Sequence, residues 1–130
     1  MTSPDARIFV NIASYRDAKF QWTVGDMFEK AENPDRVFVG ISWQFDLEID
    51  GDCFNVETRP DQVRRLDFHA RESRGVCWAR AQSQRLWNGE EFTLQSDSHM
   101  RFVPAWDRIL LEMCEACGCE RGLEHLSNAL

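Results

Sequence analysis

The sequence predicts an α/β fold in which parallel strands alternate with helices. Three observations carry this. Short runs rich in β-branched and aromatic residues recur, such as RIFVNIA at 7–13 and RVFVGISW at 36–43. Between such runs lie segments whose apolar residues repeat at three- and four-residue spacing. The strand, helix, strand order at 7–43 is that of a βαβ unit, whose crossover is right-handed over a parallel pair.

Each element follows from its local pattern. Residues 7–13 form a first strand, and Ser14, Tyr15, Arg16 and Asp17 follow as a polar loop. Val24, Met27, Phe28 and Ala31 mark one face of a first helix, which Asn33-Pro34 ends. Residues 36–43 form the second strand. Residues 44–60 have no period and contain Asp50-Gly51, so they read as an irregular connection. Residues 63–69 form a third strand. Val76, Arg80, Ser83 and Trp87 line a second helix, closed by Asn88-Gly89. Residues 91–96 form the fourth strand. Pro104 opens a third helix whose face carries Trp106, Ile109, Leu110, Met113, Cys114 and Cys117. The order β-α-β-β-α-β-α places the loops after the first, second and fourth strands on one sheet edge. Ser14 to Asp17, Trp43 to Asp46 and Asp97 to His99 are expected to converge there.

Composition narrows the function. The chain has 130 residues, which suits one domain, and 43% of them are hydrophobic. The net charge of −7 is a poor match for nucleic acid. No run approaches the ~20 apolar residues that span a bilayer. No secretory leader is read at the start, and the cysteine count of five is odd. A reduced, cytoplasmic protein is expected. Arginines gather at 64, 65, 71, 74, 80 and 85, where an anionic substrate would need them.

The residues with the most chemistry are Asp97 and His99, at the end of the fourth strand. If the strand stays extended through Ser98, the two side chains point to one side. Ligands bind beyond the carboxyl ends of strands in open α/β sheets. A carboxylate oxygen with an imidazole nitrogen suits a cation of the manganese or magnesium type.

The segments IFVNIASYRD, VFVGISWQFD, GVCWARAQSQRLWNGEEFTLQSDSHMRF and AWDRILLEM together resemble a glycosyltransferase family of the UDP-N-acetylglucosamine type. That family includes the enzyme that modifies hydroxyproline of the ubiquitin-ligase subunit Skp1, and is related to the polypeptide N-acetylgalactosaminyltransferases. The resemblance covers residues 7–113. It implies a Rossmann-like nucleotide-diphospho-sugar transferase fold of the GT-A type, with transfer of N-acetylglucosamine to a hydroxyl of a protein or glycan. It implies that Asp97 and His99 bind Mn2+ or Mg2+, which bridges the diphosphate of a UDP-N-acetylglucosamine donor. It implies uridine and ribose contacts from Ser14, Tyr15, Arg16 and Asp17, and diphosphate contacts from Arg80. No catalytic base is named by it.

Residues 114–130 (CEACGCERGLEHLSNAL) read as a divergent tail, so a donor-binding N-terminal half is expected. The competing expectation is a truncated, non-catalytic fragment that binds a nucleotide-sugar or a protein partner. Simpler roles compete at single residues too. Asp17 would serve as an N-cap, Arg80 would pair with a surface carboxylate, and Gln44 and Asp46, whose sharper role is contact with the base, would lie in a solvated loop. Cys114, Cys117 and Cys119 with His125 have a zinc-like look, but no second Cys pair exists, and Cys114 and Cys117 are read instead as continuing a helix face. His69 is expected at the surface. The five tryptophans are expected mostly to pack in the core. A short sheet with open edges is also expected to leave Trp22, Trp87, Ile109 and Met113 exposed and to favour a homo-oligomer.

Overall fold

The computed structural model describes residues 6–17, 19–46, 48, 59–98 and 100–116. Four strands, β1 (Ile8–Tyr15), β2 (Val37–Phe45), β3 (Val63–His69) and β4 (Phe92–Ser96), form one parallel sheet ordered β3-β2-β1-β4. Helices α1 (Phe20–Lys30), α2 (Val76–Gln84) and α3 (Trp106–Ala116) complete the chain. The order of elements is the one the sequence predicts, and the arrangement is Rossmann-like. After β3 the chain crosses to the far side of β1, so the strand order reverses between β1 and β4. That reversal is the topological switch point at which such sheets bind ligands.

Alternation along the strands sorts the two faces. Ile8, Val10 and Ile12 of β1 lie beside Val37, Val39 and Ile41 of β2 and Leu94 of β4. All are fully buried, and all pack with Val24, Met27 and Phe28 of α1 and with Trp106, Leu110 and Leu111 of α3. The opposite face is smaller and more polar. It carries Phe9, Asn11, Gly40, Ser42 and Gln44, and α2 covers it. The domain is therefore a sheet between α1 and α3 on one side and α2 on the other.

The helices are fixed by specific bonds. The Trp106 indole N–H donates to the Met27 carbonyl at 2.8 Å. Asp107, fully buried, accepts the Glu32 and Asn33 N–H groups at 2.7 and 3.0 Å and pairs with Arg36 at 3.1 Å. These contacts satisfy groups beyond the end of α1 with a side chain of α3. On the other face the Asn11 amide donates to the Arg80 carbonyl and to Gln84 Oε1, both at 3.0 Å, and its oxygen accepts from the Ser83 hydroxyl. Asn11 thus seats α2 on β1.

Several expectations need correction. β1 and β2 each run two residues further than the apolar pattern implies, so Ser14, Tyr15, Gln44 and Phe45 are strand, not loop. Backbone pairing, Ser14 with Trp43 and Tyr15 with Gln44, extends the ladder past the apolar residues. β4 ends at Ser96, so the premise of an extended chain through Ser98 fails. α2 ends at Gln84, and Trp87 lies beyond it, exposed, with its indole N–H on the Glu90 carbonyl. Of the tryptophans, Trp43 and Trp106 are buried, whereas Trp22 and Trp87 are exposed. The exposed apolar set of Trp22, Trp87, Ile109 and Met113 is as expected.

Cys114 packs into the core from α3 and is disulfide-bonded, so a fully reduced set of thiols does not hold. Cys117, Cys119 and His125 lie outside the described residues, as do Asp50-Gly51 and His99. Among the described residues no helix is long and apolar enough to cross a membrane, and no group of three His, Cys, Asp or Glu converges for a metal ion.

Candidate functional site at the carboxyl edge of the sheet

The loops after β1, β2 and β4 converge as their parallel directions require. Arg16, in a left-handed conformation (φ 49°), turns the chain away from β1, and its N–H donates to the Gln44 carbonyl at 2.8 Å. The Ser98 hydroxyl donates to Asp17 Oδ2 at 2.7 Å, tying the β4 loop to the β1 loop. Asp17 Oδ1 accepts the Lys19 N–H at 2.9 Å. The expected N-cap role falls instead to Lys19, which makes no side-chain cap, and Asp17 serves as a brace one turn before the helix.

Thr23 on α1 clamps the backbone on both sides of position 99. Its hydroxyl donates to the Ser98 carbonyl at 2.8 Å and accepts the Met100 N–H at 2.9 Å. One turn on, Asp26 accepts the Phe102 N–H at 2.6 Å. Burial pushes the Asp26 carboxyl up, but the Phe102 N–H and Lys30 outweigh it, and its pKa is lowered overall. The segment that follows β4 is thereby held against α1 by two buried or half-buried polar groups. Neither Thr23 nor Ser98 stands out in the sequence, because a lone hydroxyl carries no periodic signal.

Asp97 lies at the mouth of this edge, 63% exposed at its side chain, and its Oδ1 accepts from Arg80 at 3.3 Å. The simple reading of Arg80, a pairing with a surface carboxylate, is thus correct. The carboxylate is that of Asp97, the residue for which the sequence resemblance implies metal binding. Arg80 Nε is buried without an acceptor, so the guanidinium retains an unmet donor. Asn11 holds the backbone of Arg80 itself, which makes it a positioning residue for the pair.

Between the ends of β1 and β2 and the start of α2 lies a cavity of about 300 Å³ lined by Ala13, Tyr15, Gln44, Ser73, Gly75 and Val76. Gln44 is 2% exposed, against the expectation of a solvated loop. Its Nε2 donates to the Ser14 carbonyl at 3.2 Å, and its Oε1 is buried with no donor. That hydrogen bond sets the amide's orientation, so the unmet atom is an acceptor. Alternation behind Val37, Val39, Ile41 and Trp43 was the available signal that Gln44 faces the other side of the sheet. Asp46 follows the strand end, half-buried, outside this lining.

The donor chemistry at Asp97 fits a hard divalent cation: an exposed carboxylate oxygen, in a site open to water and to ligand oxygens, is the usual protein contribution to a magnesium- or manganese-type centre.

Comparison with known families decides the class. A family model described as glycosyltransferase (GlcNAc) matches residues 7–60 and 53–129. The chain belongs to this glycosyltransferase family. The two matches together span both sheet edges, the Arg80–Asp97 pair and the tail of this transferase. No curated protein and no solved structure gives a significant match.

Proposed function

We propose that the chain binds UDP-N-acetylglucosamine through a GT-A type site and transfers the sugar to a hydroxyl of a protein acceptor, with Mn2+ or Mg2+ as cofactor. The observation that carries this is the Arg80–Asp97 pair at the switch point of a transferase-family sheet. The resemblance to the Skp1-modifying enzymes makes hydroxyproline the acceptor of first choice, and a cytoplasmic setting goes with it.

The residues divide the work by chemistry. Asp97, with His99, would hold the cation, which neutralises charge on the departing UDP. Arg80 brings a fixed positive charge to the diphosphate through its terminal guanidinium nitrogens, one of which already reaches Asp97. Gln44 Oε1, an acceptor without a donor, suits the imide N–H of uracil, and Tyr15 offers an exposed ring beside it. Ser14 and Asp17 position the edge: Gln44 bonds to the Ser14 carbonyl, and Asp17 braces Ser98. Arg16 turns the chain there through its N–H bond to the Gln44 carbonyl.

Calorimetric titration of UDP with and without Mn2+ tests the proposal. UDP should bind at least about tenfold more tightly with Mn2+, a difference of about 1.4 kcal/mol. Asp97→Asn should abolish that difference and leave the thermal midpoint near wild type, since its side chain is mostly exposed. Equal affinity with and without Mn2+ would overturn the metal-bridged site, and absence of binding in both would overturn the donor assignment.

A further inference from the structure

The arginines of this acidic chain are mostly neutralised. Arg7 pairs with Glu91, Arg36 with Asp107, Arg59 with Asp35, Arg64 with Glu90, Arg65 with Asp67, Arg80 with Asp97, and Arg108 with Glu32 and Glu112. Among the described residues Arg71, Arg74, Arg85 and Arg101 have no such ion pair, and of these Arg71 and Arg74 share one cleft. Both are exposed, and among the described residues neither guanidinium has an acidic partner, although Glu72 stands between them in sequence. Both line one cleft of about 510 Å³, with Phe68, Glu72, Ser73 and Trp78. The Phe68 and Trp78 rings meet edge to face, 4.8 Å between centroids.

The place of this cleft decides what it is for. It opens at the end of β3, one edge of the sheet, whereas Asp97 follows β4 at the other edge. Three strand spacings separate those edges, about 14 Å. An anion held by Arg71 and Arg74 therefore lies at the edge of the sheet opposite Asp97. Yet Ser73 lines both the cleft and the cavity at Gln44, so the two spaces adjoin. A ligand that reaches from one to the other is extended, and the anionic groups that an extended peptide offers to two guanidiniums are carboxylates.

We propose that the Arg71–Arg74 cleft docks an acidic segment of the protein acceptor while its hydroxyl is presented at the donor site. The proposal rests on the transferase reading above. An extended peptide advances about 3.3 Å per residue, so the acidic side chains stand about four residues from the modified hydroxyl.

The test uses the full chain and three peptides. Each has one hydroxyproline and, about four residues away, a Glu-Glu, Gln-Gln or Lys-Lys pair. Binding is measured by calorimetry, and transfer by product formation with UDP-N-acetylglucosamine and Mn2+. The Glu-Glu peptide should bind about five- to tenfold more tightly than the Gln-Gln peptide, and added salt should erase the gain. Joint Arg71→Gln and Arg74→Gln should remove the same preference, raising KM for the Glu-Glu peptide with kcat and UDP affinity unchanged. Arg71→Lys with Arg74→Lys should retain part of it. Equal binding of the three peptides overturns the proposal, as does a double variant that loses UDP binding. If no peptide is glycosylated but acidic-peptide binding still needs the two arginines, the docking site stands and the transferase reading fails.

Discussion

Gly40 is the residue whose small size matters most. It lies in β2, an inner strand of the sheet, and a Cβ there would run into the Phe9 ring, 2.7 Å from Cε1, with the Ser83 carbonyl 3.1 Å away. The ring is fully buried and the carbonyl belongs to α2, so neither yields cheaply. Gly40→Ala is expected to cost about 1–3 kcal/mol by overpacking. Urea denaturation checks this, and adding Phe9→Leu should recover part of the loss, since the two changes share one contact. Glu90 is the other residue with unusual surroundings. Its side chain is wholly buried, with Oε1 2.6 Å from Arg64, a charge contact without hydrogen-bond alignment, and Oε2 on the Asn88 N–H at 2.7 Å. Removing Arg64 would strand that charge.

At the scale of elements, the seat of α2 links stability to the site. Asn11 satisfies the Arg80 carbonyl, Gln84 and Ser83 together, so one amide holds the helix that presents Arg80 to Asp97. Asn11→Leu leaves those groups unpaired in a buried place and should destabilise the fold by about 1–3 kcal/mol. It should also weaken UDP binding, whereas Gly40→Ala, corrected for its folded fraction, should not. Calorimetry on the two variants separates positioning from mere stability. The elements also show how far local pattern reaches. β3 has the bounds that its residues predict, Val63–His69, and the α1 face of Val24, Met27 and Phe28 is the buried one. Tyr15 and Gln44 misled because strand pairing is made by the backbone and tolerates polar side chains. Trp87 misled because helical spacing continued past the last residue that the helix reaches.

For the whole molecule, the joint between α1 and α3 sets the response to acid. Burial pushes the Asp107 carboxyl up, but the Asn33, Glu32 and Arg108 N–H groups and the Arg36 charge outweigh it, so its pKa is lowered. Asp26 is lowered too, by the Phe102 N–H and Lys30 against the opposing push of burial. A carboxyl with a lowered native pKa contributes its full stability above the unfolded value and loses it as pH falls through the native one. Thermal midpoints should thus be level above the ordinary carboxylate range and fall steeply below it. Asp107→Asn should lower the midpoint at neutral pH and flatten the acid slope, and a slope unchanged by that substitution would exclude Asp107 as the origin.

Side-chain order along the chain was enough to settle the class, the sequence of elements and the face each one buries, because strand and helix periods are local properties. It also marked Asp97 and Arg80 through the family resemblance. Local order could not say which strands are neighbours. The order β3-β2-β1-β4 comes from crossovers that bring distant segments together, and only that order sets β4 beside β1. From it follow the Asp17–Ser98 brace, the Thr23 clamp, the Arg80–Asp97 pair and the cavity around Gln44. Each joins residues whose meeting depends on long-range packing, and no local period encodes it.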